Sequence, residues 1–329
     1  MLSTVKKWTK KLFPNLIDNI ILEKRKFIDF KRMNHLKGKS EEDYVEILSD
    51  IYLKKTGNDL NIVEPRRFTE KIQWRKLFDQ DPVYSELSDK YKVRKWVEKK
   101  IGSEHLIPLL DAWERFDELD IQSLPDQFVI KTNNASHTNM IFTSKKEFIQ
   151  KKRSVKRCIK YWLTMPFSYL EGLELHYQKI KPMIIAEKYL SSSDGKSSLS
   201  DYKFHCFNGD PYICQVIADR FNGETIDFYD KHWEHLDIRR PPYRNSTQLA
   251  QKPNNYDLMI QLATKLSKGF QYVRVDLYEH ENRVYFGEMT FTPASGMMKF
   301  DPDAWDYRLG QLWDIHSQQI DKAIVNLDL

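Results

Sequence analysis

Cysteine is scarce: Cys158, Cys206 and Cys214 are the three thiols in 329 residues. Their number is odd and no CxxC pair occurs, which argues against both a disulfide framework and a zinc site. Each thiol reads as a small buried hydrophobe, with a lone catalytic nucleophile as the rival reading. No stretch approaches the roughly 20 apolar residues that cross a bilayer. The start of the chain lacks the sustained apolar segment of a secretion signal. A reducing, cytoplasmic location is therefore expected. Internal repeats and low-complexity segments are also missing.

What is present is globular. Hydrophobic residues make up 41%, aromatics 13% and charged residues 30%, a balance that buries a core. The length suits one large domain or two lobes. The formal net charge of +5 is unevenly spread. Residues 1–40 carry eleven cations (Lys6, Lys7, Lys10, Lys11, Lys24, Arg25, Lys26, Lys31, Arg32, Lys37 and Lys39) against Asp18, Glu23 and Asp29. Two readings follow: a basic amphipathic element lying on anionic lipid, with Leu12, Phe13, Leu16, Ile20 and Ile21 as its apolar face, or a solvated helix packed on the main domain. No nucleic-acid reading motif accompanies the charge, so no nucleic acid is expected as a partner.

The pattern along the chain alternates. Helices are expected over 15–56, 68–78, 89–100, 144–165 and 256–268. Strands are expected at Phe128–Ile130, Met140–Phe142, Met183–Ala186, Tyr272–Tyr278 and Val284–Met289. Phe204–Phe207 and Tyr212–Ile217 read as a hairpin turned by Asn208-Gly209. Residues 218–253 read as irregular, and 191–200 as a loop of small residues. Helices mixed with short strands indicate an α+β or α/β class.

Asp276 and Glu288 sit in otherwise apolar strands that flank one turn. Carboxylates so placed are costly to desolvate unless a cation or a donor meets them. They can hold Mg²⁺, which takes one or two carboxylates together with substrate phosphates. Arg274 shares a strand face with Asp276 and suits a transferring phosphoryl group. An Arg–Asp–Glu salt-bridge network explains the same residues equally well. Lys131 ends an apolar strand and leads into the polar loop Asn133–Asn139. It reads as a phosphate cation or as a snorkelling lysine, and His137 as a loop donor or plain surface. Glu187 marks the exit of another apolar strand, where purines bind main-chain groups; Glu187 and Lys188 also read as a surface pair. Arg239, Arg240 and Arg244 suit an acidic glycan or a solvated loop. Tyr161, Trp162 and Tyr169 suit sugar stacking or core packing.

Taken in order, these pieces resemble the ATP-grasp superfamily, and the chain as a whole looks like its TupA-like branch. The order is Ser88-Asp89-Lys90, Phe128-Val129-Ile130-Lys131 with its loop, Ile185 to Leu190, Asp201-Tyr202-Lys203-Phe204, Arg274-Val275-Asp276, and Gly287-Glu288-Met289-Thr290. Phe68-Thr69-Glu70-Lys71-Ile72-Gln73-Trp74 and the run Asp201 to Gly209 carry the TupA-like character.

The resemblance implies an α+β fold of two lobes clasping ATP. Residues 1–60 would be a basic helical extension and 61–329 the ATP-grasp domain, with lobes at about 85–185 and 186–320. Lys90 and Lys131 would be nucleotide-phosphate lysines, and Asn133–Asn139, with Ser136 and His137, the lid. Glu187, Lys188 and Leu190 would form the adenine hinge and Asp201 would grip the ribose. Lys203 would point at the phosphates, Arg274 would stabilise the γ-phosphoryl group, and Asp276, Glu288 and Thr290 would hold Mg²⁺. Thr290 stands where the superfamily has asparagine, and the loop has none of the usual lid glycines.

The implied chemistry is ATP activation of a carboxylate to an acyl phosphate that an amine then attacks. The implied setting is bacterial surface polysaccharide, such as teichuronopeptide, with a uronic-acid-containing precursor and an amino acid or other amine as partners. Rival readings are a sugar kinase, a glycosyltransferase using Asp301-Pro302-Asp303, and a non-enzymatic glycan-binding or membrane scaffold.

Overall fold

The computed structural model describes residues 14–170, 172–191, 199–219 and 223–327, with side chains from residue 20 onward. Leu12, Phe13, the side chain of Leu16, and most of the small-residue loop at 191–200 lie outside the described residues. Two helices lead the chain, α1 (Pro14–Leu36) and α2 (Glu41–Thr56). The second begins at a reciprocal cap: the Ser40 hydroxyl accepts from the Asp43 N–H, and Asp43 accepts from the Ser40 N–H. This satisfies two N–H groups that a helix start leaves over. Helices α3 (Phe68–Phe78), α4 (Pro82–Ser88) and α5 (Val93–Ile101) follow. Among the described residues no helix is long and apolar enough to cross a membrane.

The first sheet contains β1 (Leu109–Trp113), β2 (Phe128–Thr132), β3 (Asn139–Phe142) and β4 (Ile184–Lys188), in the order β1-β4-β2-β3. Helix α6 (Lys145–Thr164) covers it, packing Phe148, Val155 and Ile159 on Phe128, Ile130 and Ala186. The short helix α7 (Phe167–Leu170) follows. The expected lobe boundary at 185/186 falls inside β4, which pairs with β1 and β2 along its length.

The second sheet is antiparallel throughout, in the order β10-β9-β5-β6-β7-β8. Its strands are β5 (Asp201–Phe207), β6 (Asp210–Ala218), β7 (Thr225–Asp230), β8 (His235–Leu236), β9 (Tyr272–His280) and β10 (Arg283–Thr290). Asn208 and Gly209 both take positive φ, 52° and 80°, as a tight hairpin turn demands. One face of the sheet packs Phe204, Cys206, Cys214, Val275 and Leu277 against α8 (Tyr256–Ser267). The chain closes with α9 (Ala304–Gln311) and α10 (Lys322–Val325). The two sheets with flanking helices make the chain α+β.

β7 and β8 lie inside the stretch expected to be irregular. Asp227 interrupts the apolar pattern of β7, yet it is buried. Its carboxylate accepts from Asn245 Nδ2 and the Ser246 N–H, both at 3.1 Å. A buried acid satisfied in this way is compatible with a strand, and Ile226, Phe228 and Tyr229 fill the core around it. In β10 the register shifts between Phe286 and Glu288, which leaves Gly287 as a bulge. A Cβ there would lie 2.7 Å from Tyr278 Cε2 and 3.1 Å from the Asp276 carbonyl oxygen.

Helix α3 joins the second sheet to the segments after β10. Phe68 is fully buried and meets Tyr272 edge-on at 4.8 Å between centroids. Arg75 donates to the Tyr272 carbonyl at 2.9 Å, and its guanidinium lies 4.1 Å from the Trp313 ring centroid. Phe68→Ala is expected to cost about 3–5 kcal/mol of unfolding free energy in chemical denaturation. A cost below about 1 kcal/mol would mean that this contact does not clamp the helix.

Candidate nucleotide and phosphoryl-transfer site

The register of the second sheet lines up its charged residues. Lys203 on β5 is directly opposite Asp276 on β9, and Asp276 is opposite Glu288 on β10. One step along, His205, Arg274 and Thr290 form the next cross-strand row. Side chains two residues apart share a face, so both rows lie on one face of the second sheet, where His205 packs edge-on against Phe68.

Arg274 organises these rows. Its Nε donates to Asp276 Oδ1 at 2.6 Å, and one Nη donates to Asp276 Oδ2 at 2.8 Å. The same Nη reaches Glu288 Oε1 and Thr290 Oγ1, both at 3.0 Å. Thr290 donates to Glu288 Oε1 at 3.1 Å. Lys203 pairs with Asp276 and lies 3.7 Å from Asp201 Oδ1. Asp276 is 1% exposed, so both of its oxygens are spent on side-chain cations. Glu288 differs: its side chain is 31% exposed, and Oε2 faces Lys90 Nζ at 3.6 Å. Burial pushes the Glu288 carboxyl up, but Lys90, Lys203 and Arg274 together hold it well below the usual carboxylate range. For Arg274 the two carboxylates likewise overcome burial and raise its pKa.

Lys90 belongs to the other side of the cleft. It precedes α5, and its ammonium donates to the Ala135 carbonyl at 2.9 Å. Burial lowers its pKa, Glu288 raises it and Lys131 lowers it further. Lys131 pairs with Glu187 at 2.7 Å. Sequence reasoning missed a second partner of Glu187, Arg94, at 3.2 Å; Arg94 is fixed by the Ile107 carbonyl at 2.7 Å. Its signal was faint: a cation one helical turn after Lys90, on a helix rich in surface lysines.

The rest of the expected adenine hinge divides. Lys188 is exposed, with its N–H given to the Pro108 carbonyl at 3.0 Å, and Leu190 is buried. The loop expected as the lid is anchored at its start. Asn133 Nδ2 donates to Asp89 at 2.9 Å and to the Lys181 carbonyl at 3.0 Å, and its Oδ1 accepts from the Met183 N–H at 2.7 Å. Asn133, Asn134 and Ala135 are buried, Ser136 is half-buried and His137 is exposed.

Other candidates fall elsewhere. Asp301 pairs with Arg239, and Asp303 with Arg67, so the two carboxylates of the Asp-Pro-Asp segment turn to different partners. Tyr161 and Tyr169 are core residues. The arginine cluster separates as well: Arg239 turns to Asp301, whereas Arg240 forms no ion pair among the described residues. Burial lowers the Arg240 pKa first and the like charge of Arg274 second, with Tyr243 and Glu224 acting in the opposite direction.

The donor set fits a magnesium ion on the evidence of its chemistry. Two carboxylates and a hydroxyl, all oxygen donors, meet on adjacent strands; Arg274 and Lys203 hold Asp276, and Glu288 Oε2 faces Lys90. Among the described residues no three acidic, histidine or cysteine side chains converge into a protein-only metal cage.

A family model described as TupA-like ATPgrasp matches residues 70–314. Solved structures similar to the chain include D-alanine–D-alanine ligase from Bacillus anthracis complexed with ATP. It is 14% identical over 63% of this chain and 55% of that one, with a TM-score of 0.37. The ATP-grasp ligase PsnB with its minimal precursor is 8% identical, covering 64% and 55% at a TM-score of 0.36. Phosphoribosylamine–glycine ligase from Thermotoga maritima is 13% identical, covering 63% and 48% at a TM-score of 0.36. The chain thus spans about half the length of these enzymes. No curated protein matches it.

His205, fully buried between Tyr272 and Gln215, gives the site face a pH signature. Burial, then the charge of Arg274, pushes its imidazole down to about 3 from an ordinary 6.5. The unfolded chain takes up a proton that the fold refuses. This contribution to stability is complete above pH 6.5 and is lost as pH falls from there towards 3. In denaturant titrations at stepped pH, His205→Gln should flatten the acid-side decline by up to about 1.4 kcal/mol per pH unit. Equal slopes for the two proteins would show that His205 titrates normally.

Proposed function

The chain belongs to the TupA-like ATP-grasp family, and we propose that it is an ATP- and magnesium-dependent carboxylate–amine ligase of bacterial surface-polysaccharide biosynthesis, working through an acyl phosphate. The observation that carries this reading is the meeting of Lys90, from the side of the first sheet, with Glu288 in the charged row of the second. Five cations (Lys90, Arg94, Lys131, Lys203 and Arg274) and four carboxylates (Asp201, Glu187, Asp276 and Glu288) pair along this cleft, with Lys90–Glu288 the pair that joins its two sides. Such a nearly balanced site accepts a triphosphate readily when a divalent cation accompanies it.

Glu288 and Thr290 would hold Mg²⁺, with Asp276 joining as its pairs with Arg274 and Lys203 loosen. When bound, the ion offsets charge on the phosphoryl oxygens. Lys90, Lys131 and Lys203 would bind the nucleotide phosphates, and Glu187 to Leu190 with Asp201 would hold the nucleoside. Arg274 would steady the γ-phosphoryl group as a substrate carboxylate oxygen attacks phosphorus and ADP leaves. The amine nitrogen would then attack the acyl carbon, releasing phosphate and one proton. Ser136 and His137, at the accessible tip of an otherwise anchored loop, would help exclude water that hydrolyses the acyl phosphate. Arg240, which feels the like charge of Arg274 and has no ion-pair partner among the described residues, supports an anionic substrate such as a uronic-acid-containing glycan precursor.

Mg-ATP at a hundredfold excess over Kd should stabilise the protein by about 2.7 kcal/mol, read as a rise in Tm. Glu288→Gln should remove the magnesium-dependent part of that rise. Arg274→Met should lower turnover by at least about a hundredfold. A variant at Glu288 that retains full magnesium-dependent protection would refute the assignment. Mass spectrometry of products from uronic acids and amino acids decides the reaction: ADP, phosphate and an amide support the ligase, and ADP with a phosphorylated sugar means a kinase.

A further inference from the structure

Helix α1 has two faces with different fates. Leu22, Met33 and Leu36 pack into hydrophobic clusters with residues of α2, α6 and α7, and Tyr161 donates to Asp29 on the same side. Ile20, Phe27 and Ile28 project from the opposite side, with Ile21 at its border. Their exposures run from 48% at Ile20 to 71% at Phe27. Positions 20, 24, 27, 28 and 31 recur at helical spacing, so Lys24 and Lys31 stand in the same stripe as the apolar side chains. The docked face already satisfies the fold, and the exposed stripe is surplus to it.

We infer that this stripe is a membrane-surface binding site that takes anionic lipid, with Phe27, Ile28 and Ile20 entering the headgroup boundary and Lys24 and Lys31 meeting lipid phosphates. The charge pattern selects this occupant. Glu23 is paired with Lys26 and Asp29 with Arg25, while Lys24, Lys31, Arg32 and Lys37 form no ion pair among the described residues. The thirteen preceding residues add Lys6, Lys7, Lys10 and Lys11 and no acid. A helix stripe of exposed apolar side chains, flanked by cations with no ion pair among the described residues, suits a planar anionic surface. Among the described residues no helix is long and apolar enough to cross a membrane, and a stripe of this kind binds in the interface plane. The inference is independent of the nucleotide site.

The test is co-sedimentation of the full chain with vesicles of phosphatidylcholine and phosphatidylglycerol in equal parts, against phosphatidylcholine alone. Wild type should pellet with the anionic vesicles and be released by high salt. The double substitution Phe27→Asp, Ile28→Asp should weaken partitioning at least about tenfold, since two large apolar groups lose their burial. Lys24→Glu with Lys31→Glu should weaken it as well. Both variants change exposed positions and should keep the wild-type circular dichroism and unfolding midpoint. Equal recovery of wild type and the Phe27/Ile28 variant would overturn the proposal, as would equal binding to neutral vesicles. A wild-type dimer in light scattering that the substitutions dissociate, with no lipid recovery, would overturn it in favour of a second copy of the chain.

Discussion

The grip of Arg274 on Asp276 is the interaction on which the cleft depends. A carboxylate at 1% exposure is untenable alone, because desolvation of an ion costs several kcal/mol even after the protein relaxes. Arg274 answers it with two donors, Lys203 answers it from the neighbouring strand, and the guanidinium extends the arrangement to Glu288 and Thr290. The strand order β10-β9-β5 follows the same need: only side-by-side pairing of these strands brings the compensating charges within reach. Asp276 is thus the interior counter-ion, and Glu288 is the partner turned towards solvent.

Polar contacts also join the sheets to one another and to the outer segments. Lys90 touches a carbonyl of the first sheet's loop and a carboxylate of the second sheet. Behind the cleft, α3 inserts a buried polar edge. Gln73 donates to the carbonyls of Ser295 and Gly296, and Lys76 donates to those of Gly172 and Ser295. The segment that leaves Thr290 is therefore fixed by side chains from far earlier in the chain. Burial lowers the Lys76 pKa, and Glu174 opposes the shift.

The sequence showed the parts of the site whose chemistry is local. Arg274 and Asp276 are two residues apart in an apolar strand, so a shared face follows from strand geometry alone, and Asn208-Gly209 announces its hairpin. Parts that depend on distant partners were hidden. β7 lies in the stretch that reads as irregular around its arginine and proline cluster, and nothing nearby in sequence reveals that Asn245 and Ser246 satisfy Asp227. Arg94 looked like one more surface cation on a basic helix until β4 brought Glu187 beside it. Asn133 resembled a loop residue, yet its amide ties three separate segments. The double character of α1 was also illegible, since its periodicity shows amphipathicity without showing which face the fold would use.

The bulge at Gly287 acts as a change of phase within one strand. Before it, the even positions Val284 and Phe286 face the hydrophobic core; after it, the odd positions Met289 and Phe291 do. Without that one-residue offset Glu288 would point into the core and Met289 into the cleft. The strand is in effect two half-strands of opposite parity, spliced at the one residue that has no side chain to obstruct Tyr278. Length in this segment is consequently as informative as residue identity: gaining or losing one residue beside Gly287 exchanges the charged and greasy sides of everything downstream. A periodicity scan across the whole strand averages two opposite signals and sees neither.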